Sequence, residues 1–218
     1  MTRTAAPTSG QSGLAGCILA GGLARRMGGG DKPLLALDGR PLLAHVIDRL
    51  APQVGPMVLN ANGDAARFAS FALPVAADPV EGFAGPLAGV LAGLRWAQTN
   101  RPEVPGVVSV AGDTPFFPTD LVTRLISARG AQVDRIVLAK ADGHLHPVFG
   151  YWPVALADAL ERFLREATTR KVLAFVDAHD NAIADFGAST GGGDPFFNIN
   201  TPEELAEASA RARPGGSQ

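Results

Sequence analysis

Leu14-Ala15-Gly16-Cys17-Ile18-Leu19-Ala20-Gly21-Gly22 is an apolar run that stops at a glycine pair, and Leu23 to Lys32 (LARRMGGGDK) follows it. The run has the length of a buried strand, and the glycines predict a tight turn at its carboxyl end. Beyond it the pattern alternates. Pro41 stands at a first helical position, followed by Leu42, Leu43, Val46, Ile47 and Leu50 at helical spacing. Met57-Val58-Leu59 and Leu73-Pro74-Val75 read as strands. From Pro86, the residues Leu87, Val90, Leu91 and Leu94 make one helical stripe. Gly106 to Ala111 (GVVSVA) is a buried strand ending at Gly112-Asp113-Thr114-Pro115, and Leu121, Val122, Leu125 and Ile126 form a helix face. Strand and helix taking turns predict an α/β protein with a mostly parallel sheet covered on both faces, a single-domain three-layer sandwich.

The later part changes rhythm. Arg135 to Lys140 and His146 to Trp152 flank Asp142-Gly143, the signature of a hairpin. Helical patterns run from Val154 to Leu164 and Val172 to Val176, and Gly191-Gly192-Gly193 marks a loop. Thr201, Pro202 and Glu204 spell a capping box with proline at the first helical position. Residues 14–212 are expected to form the domain, with a flexible leader at 1–13 and a flexible tail at 213–218.

The 218 residues are 46% hydrophobic and 18% charged, which excludes global disorder. Nineteen basic against twenty-one acidic residues leave a net charge of −2, with no basic stripe for a nucleic-acid backbone. No stretch reaches the ~18 apolar residues of a membrane span. Leu14-Ala15-Gly16-Cys17 has the look of a lipoprotein cleavage site, but the apolar stretch of a secretory signal precedes its cleavage point, and here Pro7 to Gly13 stands there. One cysteine, Cys17, fits a reducing compartment, so a cytoplasmic protein binding neither nucleic acid nor membrane is expected.

The chemistry concentrates in two places. Between Leu19 and Lys32, glycines permit positive φ and close approach of backbone N–H groups to an anion, to which Arg26 and Lys32 add charge. A basic surface turn is the plain alternative. The phosphate loop of P-loop enzymes is absent, because Lys32 is preceded by Asp31 and followed by Pro33. The dinucleotide fingerprint is absent too, because Pro33 stands where its third glycine belongs. The second place is Asp113, at the carboxyl end of a buried strand, where a hard carboxylate can hold Mg2+ against phosphates or merely cap a turn.

Leu19, Ala20, Gly21, Gly22, Arg26, Met27, Gly28, Asp31 and Lys32 together resemble the signature loop L-A-G-G-x-x-x-R-M-G-x-x-D-K of the nucleotidyltransferases that build activated sugars and cofactors, and GDTPF at 112–116 is similar to their second signature block. Asn60-Ala61-Asn62, Gly85-Pro86-Leu87-Ala88-Gly89, His146 to Gly150 (HPVFG) and Phe197 to Leu205 (FNINTPEEL) extend the resemblance from about Leu14 to Leu205, toward the molybdenum cofactor guanylyltransferases within the molybdopterin nucleotidyltransferase family. The resemblance implies a nucleotide-diphospho-sugar transferase-like (Rossmann-like) fold and transfer of GMP from GTP to molybdenum-molybdopterin, with Mg2+. It implies Leu19, Ala20, Gly21, Lys32, Asn60, Asp78 and Asp113 around GTP, with Asp113 also on the metal. It implies Arg26, Lys32 and Asp113 as catalytic groups, Asn198 and Asn200 on the acceptor side, and transient contact with proteins of molybdopterin synthesis or molybdoenzyme maturation.

Two alternatives stay open at this level: a cytidylyl-transferring relative, and a non-catalytic GTP-binding regulator on the same fold. Thr114 and the asparagines at 198 and 200 speak against the first, and the set of Arg26, Lys32 and Asp113 against the second. His146 meets a phosphate or the pterin, or only caps the turn before Pro147. Asn198 and Asn200 share a face if the chain between them is extended. Cys17, inside an apolar strand, reads as core and not as a nucleophile.

Overall fold

The computed structural model describes residues 13–21, 31–80, 82, 85–187 and 193–212. Its main sheet has seven strands: β1 (Ala15–Leu19), β4 (Met57–Asn60), β5 (Val75–Ala76), β6 (Gly106–Ala111), β7 (Ile136–Ala141), β8 (His144–Pro153) and β9 (Asn181–Asp185). Their order across the sheet is β5-β4-β1-β6-β8-β7-β9, and β8 alone runs against the others. The remaining two strands, β2 (Ala36–Leu37) and β3 (Arg40–Pro41), form a separate small hairpin.

Beyond β1, the described chain resumes at Asp31 with a 3-10 turn at Lys32–Leu34, then that hairpin, then α1 (Leu42–Leu50). Pro41 stands just before α1 with ψ at 142°, so the helix begins one residue later than the sequence suggested. The other helices are α2 (Pro86–Asn100), α3 (Leu121–Arg129), α4 (Ala157–Glu166), α5 (Val172–Val176) and α6 (Pro202–Ala212). The helical pattern from Val154 begins as a 3-10 turn at Val154–Leu156 before α4 takes over.

Alternation along the strands builds the three layers. Ile18, Val108 and Val110 point to one face, where they pack with Leu43, Val46 and Leu50 of α1 and Leu121 and Leu125 of α3. Cys17, Val58 and Val107 point to the other, against Leu87, Val90, Leu91 and Leu94 of α2 and Leu160 of α4. A third cluster joins Leu37 and Leu42 to Ile199 and Ala208, seating α6 beside the small hairpin. The three-layer α/β sandwich read from the sequence is therefore present.

From β1 the chain first builds toward β4 and β5, then returns to the opposite side of β1 with β6. That reversal opens a crevice at the carboxyl ends of β1 and β6, the place where open α/β sheets bind ligands. No described helix is long and apolar enough to cross a membrane.

Candidate active site

Leu19, the last residue of β1, pairs with Asn60 on one side and Ala111 on the other. Three neighbouring strands therefore end level. Over that edge lies a cleft of about 340 Å³, whose lining includes Leu19, Gly21, Asn60, Asn62, Asp78, Asp113 and Asn198, with Gly85 and Pro86 at the start of α2. Ala20 is buried just below, its N–H bonded to the Asn60 carbonyl at 2.9 Å.

Lys32 is 7% exposed, and its ammonium donates to three oxygens: Asp113 Oδ2 at 2.5 Å, Asn198 Oδ1 at 2.9 Å and Asn200 Oδ1 at 2.6 Å. An ammonium has three protons, so its donor capacity is filled. Local backbone structure positions each partner. The Lys32–Leu34 turn is closed by Leu35 N–H on the Lys32 carbonyl. Gly112 N–H bonds Leu19 O at 2.9 Å, and Ile199 N–H bonds the Asp113 carbonyl at 3.1 Å. Ile199 is buried in the apolar cluster under α6, while Asn198 and Asn200 both turn to the lysine, sharing a face as the spacing predicted. The capping box holds this segment: Glu204 N–H donates to Thr201 Oγ1 at 3.2 Å, and Thr201 N–H to Glu204 Oε2 at 3.0 Å.

A second polar group lines the same cleft. Asn60 Nδ2 donates to Asp78 Oδ1 at 2.9 Å, and Asn62 Nδ2 donates to Asp78 Oδ2 at 2.7 Å. Asp78 N–H in turn donates to Asn62 Oδ1 at 2.8 Å. Both carboxylate oxygens are thus oriented by amides. Asn60 fits because α2 carries Gly89 beside it: a Cβ there would stand 2.3 Å from Asn60 Oδ1.

Cys17 lies beneath this group, fully buried against α2, where a Cβ on Gly93 would come within 2.7 Å of its sulfur. Burial, reinforced by the negative charge of Asp78, pushes the thiol up to about 12. It is a core residue with no thiolate to offer. His146 stacks on Phe196 at 4.4 Å, and partial burial lowers its pKa.

The residues anticipated from the sequence, Leu19, Ala20, Gly21, Lys32, Asn60, Asp78, Asp113, Asn198 and Asn200, thus gather at one edge of the sheet. Arg26 lies outside the described residues, as does the rest of the segment 22–30. Sequence reading missed Asn62 and Gly89 as site residues, although both stand inside motifs it had quoted. It also missed Arg67, a lone arginine in a 3-10 segment (Ala65–Phe71) with no motif around it.

The oxygens of Asp113, Asn198 and Asn200 already converge on one cation, the ammonium, so the donor chemistry fits a hard divalent ion that takes further ligands from substrate phosphates. Among the described residues no group of three or more His, Cys, Asp or Glu forms a self-sufficient metal cage.

Residues 16–182 match the model of the MobA-like NTP transferase domain. The molybdenum cofactor guanylyltransferase of Bradyrhizobium sp. (strain ORS 278) is 54% identical over 193 residues, covering 88% of this chain and 90% of that protein. The molybdenum cofactor guanylyltransferase of Mesorhizobium japonicum is 48% identical over 196 residues, covering 89% and 94%. Among solved structures, molybdopterin-guanine dinucleotide biosynthesis protein A of Archaeoglobus fulgidus superposes with a TM-score of 0.71 at 25% identity, over 90% of this chain and 97% of that one. The chain belongs to the MobA-like nucleotidyltransferase family, and the curated relatives it matches over most of their length are molybdenum cofactor guanylyltransferases.

Proposed function

We propose that this protein transfers GMP from GTP to the terminal phosphate of molybdenum-molybdopterin, releasing pyrophosphate, in the cytoplasm. The observation that carries the reading is the Lys32 ammonium shared by Asp113, Asn198 and Asn200, two of which line a cleft that also holds the oriented Asp78 carboxylate. Guanine presents N1–H and an exocyclic amine side by side, and the two oxygens of Asp78 are suited to accept that pair. Asn60 keeps the carboxylate turned.

The acceptor is a phosphate monoester with a second pKa near ~6, so its oxygen is largely ionised at neutral pH and needs no general base. That oxygen attacks the α-phosphorus of GTP. A P–O bond forms, the bond to the α,β-bridging oxygen breaks, and the electron pair leaves with pyrophosphate. The protein's task is to bring two anions into line and balance charge on the leaving group. Lys32 turns its ammonium from Asn198 and Asn200 to the phosphates, and the two freed amides orient the acceptor. Arg26 adds a second positive charge from the glycine loop. Asp113 would hold Mg2+, which when bound would neutralise phosphate charge.

Pyrophosphate release from GTP with molybdenum-molybdopterin tests the reading, using CTP and ATP as controls. Turnover is expected with GTP, and Asp113→Ala is expected to lower it by about a hundredfold or more at saturating Mg2+. Preferential turnover of CTP would replace guanylyl by cytidylyl transfer, and no release with any triphosphate would leave a binding protein.

A further inference from the structure

Asp78 does not hold its own position. Both of its carboxylate oxygens are aimed by side-chain amides, and Asn62 grips it twice, through Nδ2 on Oδ2 at 2.7 Å and through Oδ1 on the Asp78 N–H at 2.8 Å. Asn62 is exposed and packs in no apolar core, so its side chain does little for the fold beyond this clasp. Its backbone is held from the other side. Arg67 Nη2 donates to the Asn62 carbonyl at 2.5 Å, and the same guanidinium lies 2.9 Å from Asp31 Oδ2 through Nε. Both partners of that ion pair are mostly covered, with side-chain exposures of 29% and 19%, and the Arg67 guanidinium sits 4.9 Å above the Phe68 ring. Asp31 immediately precedes Lys32. A continuous polar strap therefore runs Asp78–Asn62–Arg67–Asp31, from the cleft to the turn that carries the phosphate-binding ammonium.

We infer that Asn62 is a specificity-positioning residue and Arg67 its anchor: Asn62 fixes the Asp78 carboxylate in the orientation that selects the nucleobase, and Arg67 ties that setting to the phosphate side. The inference rests on the nucleotide-binding role proposed above for Asp78. Arginine suits the anchor because its planar fork reaches a carbonyl and a carboxylate at once, which a lysine ammonium on a flexible stem does less well. Without the Asn62 amide, Asp78 Oδ2 loses a charge-assisted hydrogen bond and the carboxylate is free to rotate, so two-point recognition weakens while the phosphates are untouched.

Calorimetric affinities for GTP, ITP, ATP, CTP and inorganic tripolyphosphate, compared between wild type and variants, test this. ITP lacks the exocyclic amine and tripolyphosphate lacks a base. Asn62→Ala is expected to narrow the GTP-to-ITP affinity ratio about tenfold while leaving tripolyphosphate affinity within twofold. Asn62→Asp is isosteric and keeps the bond from the Asp78 N–H, but sets a carboxylate oxygen against Oδ2, and is expected to narrow the ratio at least as much. Arg67→Gln is expected to weaken both GTP selection and tripolyphosphate binding, because it releases Asp31 as well as Asn62. Unchanged base ratios in both Asn62 variants, with wild-type melting curves, would overturn the inference. If wild type prefers CTP, the guanylyl reading falls, and the strap is then judged by whether the same variants flatten that preference.

Discussion

Single side chains in this protein show how surroundings assign roles. Lys32 and Cys17 are both buried, yet one donates to three oxygen acceptors while burial holds the other as a neutral thiol. The consequence for Cys17 is measurable. Its thiol ionises near 9.0 in an unpaired setting and near about 12 in the folded chain. Between those values the unfolded chain gives up a proton that the native one retains, so stability is full below pH 9 and declines above it. The loss is about 1.4 kcal/mol per pH unit for one proton. Denaturant melts at pH 9 and pH 10 are expected to show the wild type losing about 1 kcal/mol more than Cys17→Ala over that interval, because the unfolded thiol is only half ionised at its start. Equal losses in the two proteins would mean that the native thiol ionises.

At the level of elements, α2 matters less for its own stability than for what it lets approach. Nine of its residues are buried, and Gly89 and Gly93 sit where any side chain would strike Asn60 or Cys17. Helix propensity alone favours Gly89→Ala by about 1 kcal/mol. The added Cβ would stand 2.3 Å from Asn60 Oδ1 and 2.8 Å from Leu19 Cδ2, so packing decides the sign. The variant is expected to be destabilised by about 1–3 kcal/mol in urea melts, and to bind GTP more weakly in titrations because Asn60 must move away from Asp78. The two small turns make a related point. Asp38-Gly39 and Asp142-Gly143 have matching positive φ pairs, 49° and 78° against 49° and 79°. Only the second was read from the sequence as a hairpin. It joins strands of six and ten residues, whereas β2 and β3 have two residues each and show no alternation to notice. β9 escaped for a similar reason: at an edge of the sheet it leaves Ile183 half exposed, and its pattern resembles a polar loop.

Across the whole molecule, the Lys32 cluster joins three parts of the chain that are far apart in sequence: the turn after β1, the end of β6 and the segment before α6. Removing one partner of such a covered pair strands the other charge. Asp113→Ala is therefore expected to lower the stability of the nucleotide-free protein by as much as about 3 kcal/mol. Adding Lys32→Met to it is expected to restore part of that loss, because the stranded ammonium disappears. Thermal melts of the two single variants and the double variant form the cycle, and strictly additive losses would show that the pair is not coupled in the fold.

Sequence periodicity and turn chemistry determined the α/β class, the buried strands β1 and β6, the Asp142-Gly143 hairpin and the cap of α6, because each depends on residues within a few positions of one another. The signature residues also marked Lys32, Asp113, Asn198 and Asn200 as belonging to one chemistry. Tertiary structure alone decided that β8, not β7, is the hairpin strand that runs against the rest of the sheet, that one ammonium gathers three oxygens from distant segments, and that Asn62 and Arg67 stand behind Asp78. Those outcomes arise from which chain ends meet at the edge of a sheet, and hydrogen bonds across 81 or 166 residues leave no periodic trace along the chain.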